Sequence, residues 1–280
     1  MNIQRIAAFS KGNEGGNPAG VALLDQSIGD EEMARVAAEV GYSETVFAVP
    51  LDESGKKWRV RYFSPETEVP FCGHATIALG AVLGRQEGAG TFELTLKDAL
   101  ITVDAQPSET GMVATLTSPP TNSQTMPGAV LAEVLLLFGL RQADLDDRLP
   151  PARIHGGSDH IVLPLSERSR LAEMTYDLDL GRDVMRKLGV ATIMLVVVED
   201  DRTFVVRNAF ASGGVLEDPA TGAAAAAFGG HLRDQHWPHR GKFTIRQGED
   251  MGQSSLIEVE LYNTPGSPVR VSGATRRIWE

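Results

Sequence analysis

The fold is decided by the stretch Glu68-Val69-Pro70-Phe71-Cys72-Gly73-His74-Ala75-Thr76 and the run that follows it. Residues 73–83 are small and apolar nearly all round, which predicts a helix buried on every side. A second stretch, Glu217-Asp218-Pro219-Ala220-Thr221-Gly222, leads into the similar run 223–228. The sequence therefore predicts two buried helices, each introduced by an acidic residue, a proline and a glycine.

The surroundings of the two stretches are also alike. A strand carrying Arg61 precedes the first and a strand carrying Arg207 precedes the second, about half the chain apart. Such a two-copy pattern predicts two similar domains that face each other across a cleft. The run from Pro119-Pro120 to Gly128 is the most linker-like, so we place the domains at 1–118 and 119–280. The strand near 269–280 is a candidate to return to the first domain.

The other elements follow from alternation, apolar spacing and turn residues. Asp30 is expected to cap a helix that ends at Gly41 in the left-handed conformation. A further helix is predicted over 129–140. Strands are predicted at 3–9, 21–24, 45–49, 58–63, 91–97, 100–105, 112–117, 161–164, 192–198, 203–207, 243–246, 256–262 and 269–271.

Composition narrows the class of protein. The net charge of −11 makes nucleic acid and anionic membranes poor partners. The single cysteine, Cys72, excludes an intramolecular disulfide and a multi-thiolate zinc site. We find no signal-peptide pattern and no apolar run of membrane-spanning length, so a cytoplasmic location is expected.

Both predicted buried helices start at glycines, Gly73 and Gly222. A helix N-terminus presents unpaired N–H groups and the positive end of the helix dipole. Two such ends at one cleft could bind a carboxylate and stabilise the anion that forms when a neighbouring carbon loses a proton. The alternative is that the glycines serve close packing only.

Two carboxylates are candidates for proton transfer. Glu44 follows a helix end and begins an apolar strand, where burial would suit it to general-base work; the alternative is an exposed acid at a strand end. Asp218 precedes Pro219 at a helix start. It could handle a proton, cap the helix, or do both.

The first helix start also carries His74 and Cys72. A neutral His74 could donate to a substrate or pass a proton, or be a hydrogen-bonded structural histidine. Cys72 could be a nucleophile or proton carrier, or a small buried apolar residue.

Other signals of chemistry are weak. The proline between His236 and His239 prevents a helical metal-binding pair. The glycine-rich loop 12–20 lacks the Lys-Ser/Thr of a phosphate-binding loop, and neither a dinucleotide fingerprint nor a nucleophile elbow is present. No metal and no cofactor are therefore expected.

Five segments together resemble the PhzF (phenazine biosynthesis-like) family of the diaminopimelate-epimerase-like fold, and the resemblance covers nearly the whole chain. They are Gly16-Asn17-Pro18, Ser43-Glu44-Thr45-Val46-Phe47, Arg61-Tyr62-Phe63-Ser64-Pro65, Glu68-Val69-Pro70-Phe71-Cys72-Gly73-His74-Ala75-Thr76 and Glu217-Asp218-Pro219-Ala220-Thr221-Gly222.

The resemblance implies an α+β fold of two pseudo-symmetric domains, each a curved, mostly antiparallel sheet wrapped around a central helix. It implies a cofactor-independent isomerase or epimerase, with Glu44, His74 and Asp218 as catalytic residues. Substrate binding is implied for Asn17, Cys72, Gly73, Thr221, Gly222 and Ala223. A homodimer is a mild expectation from the same resemblance.

Two departures from the family pattern bear on the substrate. Ala223 stands where phenazine enzymes often have serine, which puts the phenazine substrate in doubt. Cys72 matches one thiol of the two-thiol epimerases, but the chain has no second cysteine. We therefore expect an isomerase acting by acid–base proton transfer on a small carboxylate-bearing metabolite. The alternatives are a non-catalytic metabolite-binding protein and an amino-acid racemase assisted by Cys72.

Overall fold

A computed structural model describes residues 1–65, 67–97, 99–109 and 111–279. The strands are β1 (Gln4–Ala8), β2 (Asn17–Leu23), β3 (Thr45–Pro50), β4 (Lys57–Phe63), β5 (Glu68–Val69), β6 (Gly90–Thr95), β7 (Leu100–Ser108), β8 (Gly111–Thr117), β9 (Asn122–Thr125), β10 (Ala152–His155), β11 (Asp159–Leu165), β12 (Thr192–Asp200), β13 (Thr203–Ala209), β14 (Glu217–Asp218), β15 (Lys242–Gln247), β16 (Ser255–Leu261) and β17 (Val269–Arg277). The helices are α1 (Asp30–Val40), α2 (Gly73–Gln86), α3 (Gly128–Leu137), α4 (Arg168–Ala172), α5 (Leu178–Leu188) and α6 (Gly222–Asp234).

The strands form one mixed sheet with barrel-like closure. Together with the helices, this sheet agrees with the predicted α+β class. Around the first half, each strand pairs with the next in the order β1, β2, β3, β4, β6, β7, β8 and β17, and β17 pairs with β1 to complete the ring. Most pairings are antiparallel. The parallel ones are β2 with β3, β4 with β6, β11 with β12 and β13 with β15.

The strands of the second half pair in a series similar to that of the first half, but the pairings of this series do not close into a ring. Its strands pair in the order β9, β10, β11, β12, β13, β15, β16 and β17. β17 thus pairs with strands of both halves: β8 lies along one of its edges, and β1 and β16 lie along the other. The division at residues 118 and 119 stays a prediction, and Glu280 lies outside the described residues.

The two predicted buried helices are present. Every residue of α2 from Gly73 to Gly84 is buried, and the helix contacts β1, β2, β3, β6, β7, β8 and β17. Helix α6 is buried from Gly222 to Arg233 and contacts β9, β10, β11, β16 and β17. Small side chains allow this close approach, because Ala and Gly let the strands pack directly against the helix backbone.

The remaining helices cover the outer face of the sheet. Helices α3, α4 and α5 bury Val134, Leu171 and Met185 in a second apolar cluster, and α1 buries Met33 and Val36 in a third. In the described part of the chain, no helix is long and apolar enough to cross a membrane.

The ends of α1 and the stretch after Pro119 agree only in part with the sequence predictions. Gly41 ends α1 in the left-handed conformation, as predicted. Asp30 is not the cap of α1, because Gly29 holds that position and the Asp30 carboxylate instead accepts a hydrogen bond from Arg61 at 2.6 Å. The linker-like stretch after Pro119 is not unstructured, since it contains β9, which pairs with β10.

Candidate active site

The starts of α2 and α6 meet. A Cβ atom added at Gly73 would lie 2.8 Å from the backbone nitrogen of Ala223 and 3.0 Å from Cα of Gly222. One added at Gly222 would lie 3.4 Å from Cα of Gly73. A side chain at Gly73 would prevent this approach, and the two helix N-termini present their unpaired N–H groups at one place.

Matching ion pairs hold the segments that lead into the two helices. Arg61 on β4 donates from Nε and Nη2 to both oxygens of Glu68 on β5, each at 2.7 Å. Arg207 on β13 donates to Glu217 on β14 at 3.0 Å from Nε and 2.5 Å from Nη2. These bidentate pairs fix the short strands that precede the helices, which explains the repeat of arginine and glutamate seen in the sequence.

Glu44 is buried just before β3, with 4% of its surface exposed. Its Oε2 has no hydrogen-bond partner among the described residues and lies 3.4 Å from Nε2 of His74. The same ring nitrogen lies 3.4 Å from the hydroxyl of Ser43. The expectation of a buried carboxylate at Glu44 is therefore met, and the exposed alternative is wrong.

Cys72 is the N-cap residue of α2, and its Sγ lies 3.3 Å from Nδ1 of His74. Burial raises the pKa of this thiol well above its ordinary value, and the negative charge of Glu44 raises it further. Cys72 therefore carries its proton at neutral pH.

Asp218 lies across the cavity at the end of β14 and is 3% exposed. It accepts hydrogen bonds from Nδ2 of Asn17 at 2.7 Å and from the hydroxyl of Thr221 at 2.6 Å. Gln247 binds the main-chain oxygen of Asp218 at 2.7 Å. Burial raises the pKa of Asp218 to about 6; the charge of Glu44 adds to the rise, and His74 with the two hydrogen bonds opposes it.

Asp218 is not the cap of α6, which corrects the capping interpretation. Thr221 holds the N-cap position. The Asp218 carboxylate accepts a hydrogen bond from the Thr221 hydroxyl and not from a helix N–H group. The carboxylate is held by side chains from both halves of the chain, since Asn17 lies on β2.

Glu44, Cys72 and His74 are also the residues that could hold a metal ion. All three are buried, and their ligand atoms lie within 4.8 Å of one another. A thiolate, an imidazole and a carboxylate are a donor set that Zn²⁺ accepts. The expectation that the protein uses no metal stays a prediction.

One small cavity joins these groups. Its volume is about 60 Å³. Of the residues predicted for the site, Asn17 supports Asp218 from behind, and the others line the cavity: Glu44, Cys72, Gly73, His74, Asp218, Thr221, Gly222 and Ala223. Phe71 of the first motif also lines the cavity, together with residues that belong to no motif: Ser158, His160, Ala191, Thr192 and Phe210.

Comparison with known proteins identifies the class. The model of the phenazine biosynthesis-like (PhzC-PhzF) family matches residues 6–278. An uncharacterized isomerase of Deinococcus radiodurans is 33% identical over 266 residues, covering 91% of this chain and 85% of the relative. A second uncharacterized isomerase, YfhB of Bacillus subtilis, is 29% identical, and the match covers 96% of this chain and 93% of the relative.

Solved structures agree on the fold. A predicted epimerase of Pseudomonas aeruginosa matches with a TM-score of 0.86 and 24% identity, covering 99% of this chain and 96% of that one. Fold and relatives together define an enzyme of the isomerase class. The chain belongs to the phenazine biosynthesis-like (PhzF) family. An isomerase is thereby favoured over the metabolite-binding protein that the sequence left open.

Proposed function

We propose that the protein is a cofactor-independent isomerase or epimerase that moves a proton on a small carboxylate-bearing substrate. The reaction takes place in the cavity between two matching halves, with α2 and α6 as their central helices. The contacts of both helices with the surrounding strands and the meeting of Gly73 with Gly222 support this arrangement.

The observation that carries the proposal is the state of Glu44. Its carboxylate is buried in the cavity and has one oxygen without a hydrogen-bond partner among the described residues. A buried carboxylate with a free lone pair is suited to remove a proton from carbon, because little solvent competes for it.

The two helix starts would stabilise the charge that develops. The substrate carboxylate lies against the N–H groups near Gly73 and Gly222, which donate to it and to the enolate formed on proton removal. The cavity itself is lined by no Lys or Arg in the described part of the chain. Backbone dipoles therefore replace a cationic side chain.

Proton return is assigned to Asp218 or His74, which face the cavity with Glu44. Asp218 with a pKa of about 6 is partly protonated near neutral pH, so it can give a proton to the substrate carbon. His74 lies between Glu44 and Cys72 and can pass a proton within that group.

The test is hydrogen exchange at carbon. The protein is incubated in D₂O containing EDTA with a panel of small carboxylic acids that bear a C–H next to an electron-withdrawing group, and deuterium incorporation is followed by NMR. We expect exchange with at least one panel member. Glu44→Gln should slow it by ~10²–10⁴-fold while the circular dichroism spectrum is unchanged, because the amide cannot accept the proton.

Glu53→Gln is the matched control, since it makes the same change at an exposed loop residue. It should leave exchange at the wild-type rate. A Glu44→Gln variant of full activity would remove Glu44 from the mechanism, and absence of exchange across the panel would favour the binding protein.

The Cys72-assisted racemase is a weaker candidate. The raised pKa of Cys72 disfavours the thiolate that a cysteine base needs. When the two motifs are aligned residue by residue, Thr221 occupies the position of Cys72. A two-thiol racemase would need its second cysteine at that position. We expect Cys72→Ser to retain exchange within about tenfold of wild type, measured in the same D₂O assay. A loss as large as that of Glu44→Gln would support the racemase.

Two further proposals are a homodimer, which rests on the family resemblance, and a cytoplasmic location, which rests on the absence of a signal-peptide pattern in the sequence. Light scattering on the purified protein tests the first, with twice the 30.1 kDa chain mass expected.

A further inference from the structure

His160 is a buried histidine that the proposed proton transfer does not use. It lies on β11, is 1% exposed and lines the cavity together with Thr192. Its Nδ1 lies 2.7 Å from the hydroxyl of Thr192. Its Nε2 is buried and has no hydrogen-bond partner among the described residues. A buried polar atom without a protein partner is normally satisfied by water or by a ligand group, and His160 lines a cavity where either can bind.

Strand register shows that Thr192 and Glu44 hold equivalent positions in the two halves of the chain. Phe47 on β3 pairs with Arg61, and Leu195 on β12 pairs with Arg207. The two arginines are equivalent, since each holds the strand that leads into a buried helix.

Counting back three residues from Phe47 gives Glu44, and the same step from Leu195 gives Thr192. Thr192 therefore occupies in the second half the position that Glu44 occupies in the first. His160 and Thr192 therefore line the cavity from the second half of the chain, and Glu44 lines it from the first.

Hydrogen-bond counting assigns the proton on the ring. If Nδ1 carried it and donated to Thr192, both the Thr192 hydroxyl proton and the Nε2 lone pair would lack partners. If Thr192 donates to Nδ1, only the Nε2 proton is unmatched, which leaves one unpaired group instead of two. Burial also lowers the pKa of His160 to about 3, so the ring is neutral near pH 7. A neutral N–H donor thus remains for the cavity.

The charge of the cavity limits the group that can accept from this donor. Glu44 and Asp218 already line the cavity, and among the described residues no Lys or Arg lines it. The helix starts provide for one substrate carboxylate. A second carboxylate at His160 would be buried without a countercharge, which is costly. A hydroxyl or carbonyl oxygen accepts the hydrogen bond without that cost.

We propose that His160 binds a neutral oxygen of the substrate through Nε2–H, and so selects small monocarboxylates that carry a second hydroxyl or carbonyl group. Thr192 is the positioning residue that fixes the ring tautomer. This inference rests on the proposed function for the location of the carboxylate, but its test measures binding and needs no turnover.

The experiment uses the intact protein labelled with ¹⁵N-histidine. Long-range ¹H–¹⁵N spectra report the tautomer of each of the six histidines, and His160→Gln identifies the signals of residue 160. The probes are butyrate, 3-hydroxybutyrate and succinate. We expect the Nε2–H tautomer in the free protein, and 3-hydroxybutyrate to bind about threefold to tenfold more tightly than butyrate or succinate.

Variants separate recognition from folding. His160→Gln keeps an N–H donor near the position of Nε2 and should keep the preference for 3-hydroxybutyrate over butyrate. His160→Met fills similar space without a donor and should bind the two acids equally. Thr192→Val should mix the tautomers and reduce the preference.

Four results would overturn the inference. They are an Nδ1–H tautomer in the free protein, equal binding of the three acids to wild type, a preference that survives in His160→Met, and absence of any shift of the His160 signals with all three acids. A failure of the proposed function is seen elsewhere, in the exchange rate of Glu44→Gln, so the two can fail separately.

Discussion

At the scale of single residues, the site is defined by polar groups that the fold buries close together. Glu44 and Asp218 are both carboxylates with almost no exposed surface, and they line one cavity. Asp218 is satisfied by Asn17 and Thr221, whereas one oxygen of Glu44 has no partner among the described residues. The two carboxylates therefore differ in their hydrogen bonding. Such a difference is expected when one acid accepts a proton and the other supplies it.

The raised pKa of Asp218 predicts a pH-dependent stability. With a folded pKa of about 6 against an ordinary 3.8, the folded state holds this proton more tightly than the unfolded chain. Its contribution to stability is therefore greatest at low pH, falls between about pH 4 and 6, and is constant above. Asp218→Asn removes this dependence. The free energy of unfolding of the variant minus that of wild type should rise by on the order of 2–3 kcal/mol from pH 4 to 7.

Urea denaturation at several pH values measures that difference, and groups that do not interact with the charge of Asp218 cancel in it. The loss of hydrogen-bond acceptance from Asn17 or Thr221 shifts the difference by a constant amount only. A difference that does not change with pH would contradict the burial of a charged Asp218.

Residue-level prediction from the sequence was good where a motif existed. Glu44, Cys72, His74 and Asp218 belong to motifs, and the structure brings them to one cavity. His160 and Thr192 belong to no motif. The sequence does not indicate them, because a single histidine in an apolar strand cannot be distinguished from an ordinary buried residue. Only the strand register relates Thr192 to Glu44, and register depends on pairings between distant parts of the chain.

At the scale of secondary-structure elements, the site depends on two helices that begin at the same point in space. The small residues of α2 and α6 allow the surrounding strands to approach, and their first glycines allow the helices to approach each other. The cavity is therefore a product of helix packing as much as of the residues that line it.

Gly73→Ala tests this packing. The new Cβ would lie 2.8 Å from the backbone nitrogen of Ala223, so the helix starts must separate. We expect a loss of about 1–3 kcal/mol in the free energy of unfolding, together with loss of exchange activity. Gly128→Ala is the matched control, because Gly128 is the first residue of α3 and an added Cβ has nothing within 4 Å.

The control variant should be as stable as wild type or slightly more stable, since alanine restricts the unfolded chain. Chemical denaturation and the D₂O assay measure both quantities. Equal stability of the two variants would show that the helix starts are not in contact.

Elements with a strong local pattern were predicted, and those formed by distant pairing were not. Helix α2 was evident from its apolar run, although α6 extends to Asp234, beyond the predicted 223–228. Strand β9 has the polar sequence Asn-Ser-Gln-Thr and forms because its backbone pairs with β10. Helix α5 was missed although Asp177 caps its start and Gly189 ends it in the left-handed conformation.

At the scale of the whole molecule, the two halves share strand β17. This strand completes the ring of the first half through β1 and β8, and it also pairs with β16 of the second. The two-copy pattern in the sequence predicted matching halves, but a shared strand leaves no local pattern and could not be predicted with its register.

We therefore predict that the halves unfold together. Trp58 lies on β4 of the first half and Trp237 follows α6 in the second. In protein labelled with 5-fluorotryptophan, the native ¹⁹F signals of these two residues should disappear at the same urea concentration, because shared pairing makes the transition cooperative. Separate midpoints would indicate two independently stable halves.

The position of β17 also has a consequence for protein synthesis. Translation delivers β1 to β8 to the ribosomal exit long before Val269–Arg277, so the first eight strands wait with the edges of β1 and β8 unpaired. Unpaired edges are templates for association with other nascent chains. Slow completion of this ring makes the newly made polypeptide a candidate client for chaperones until its last strand arrives.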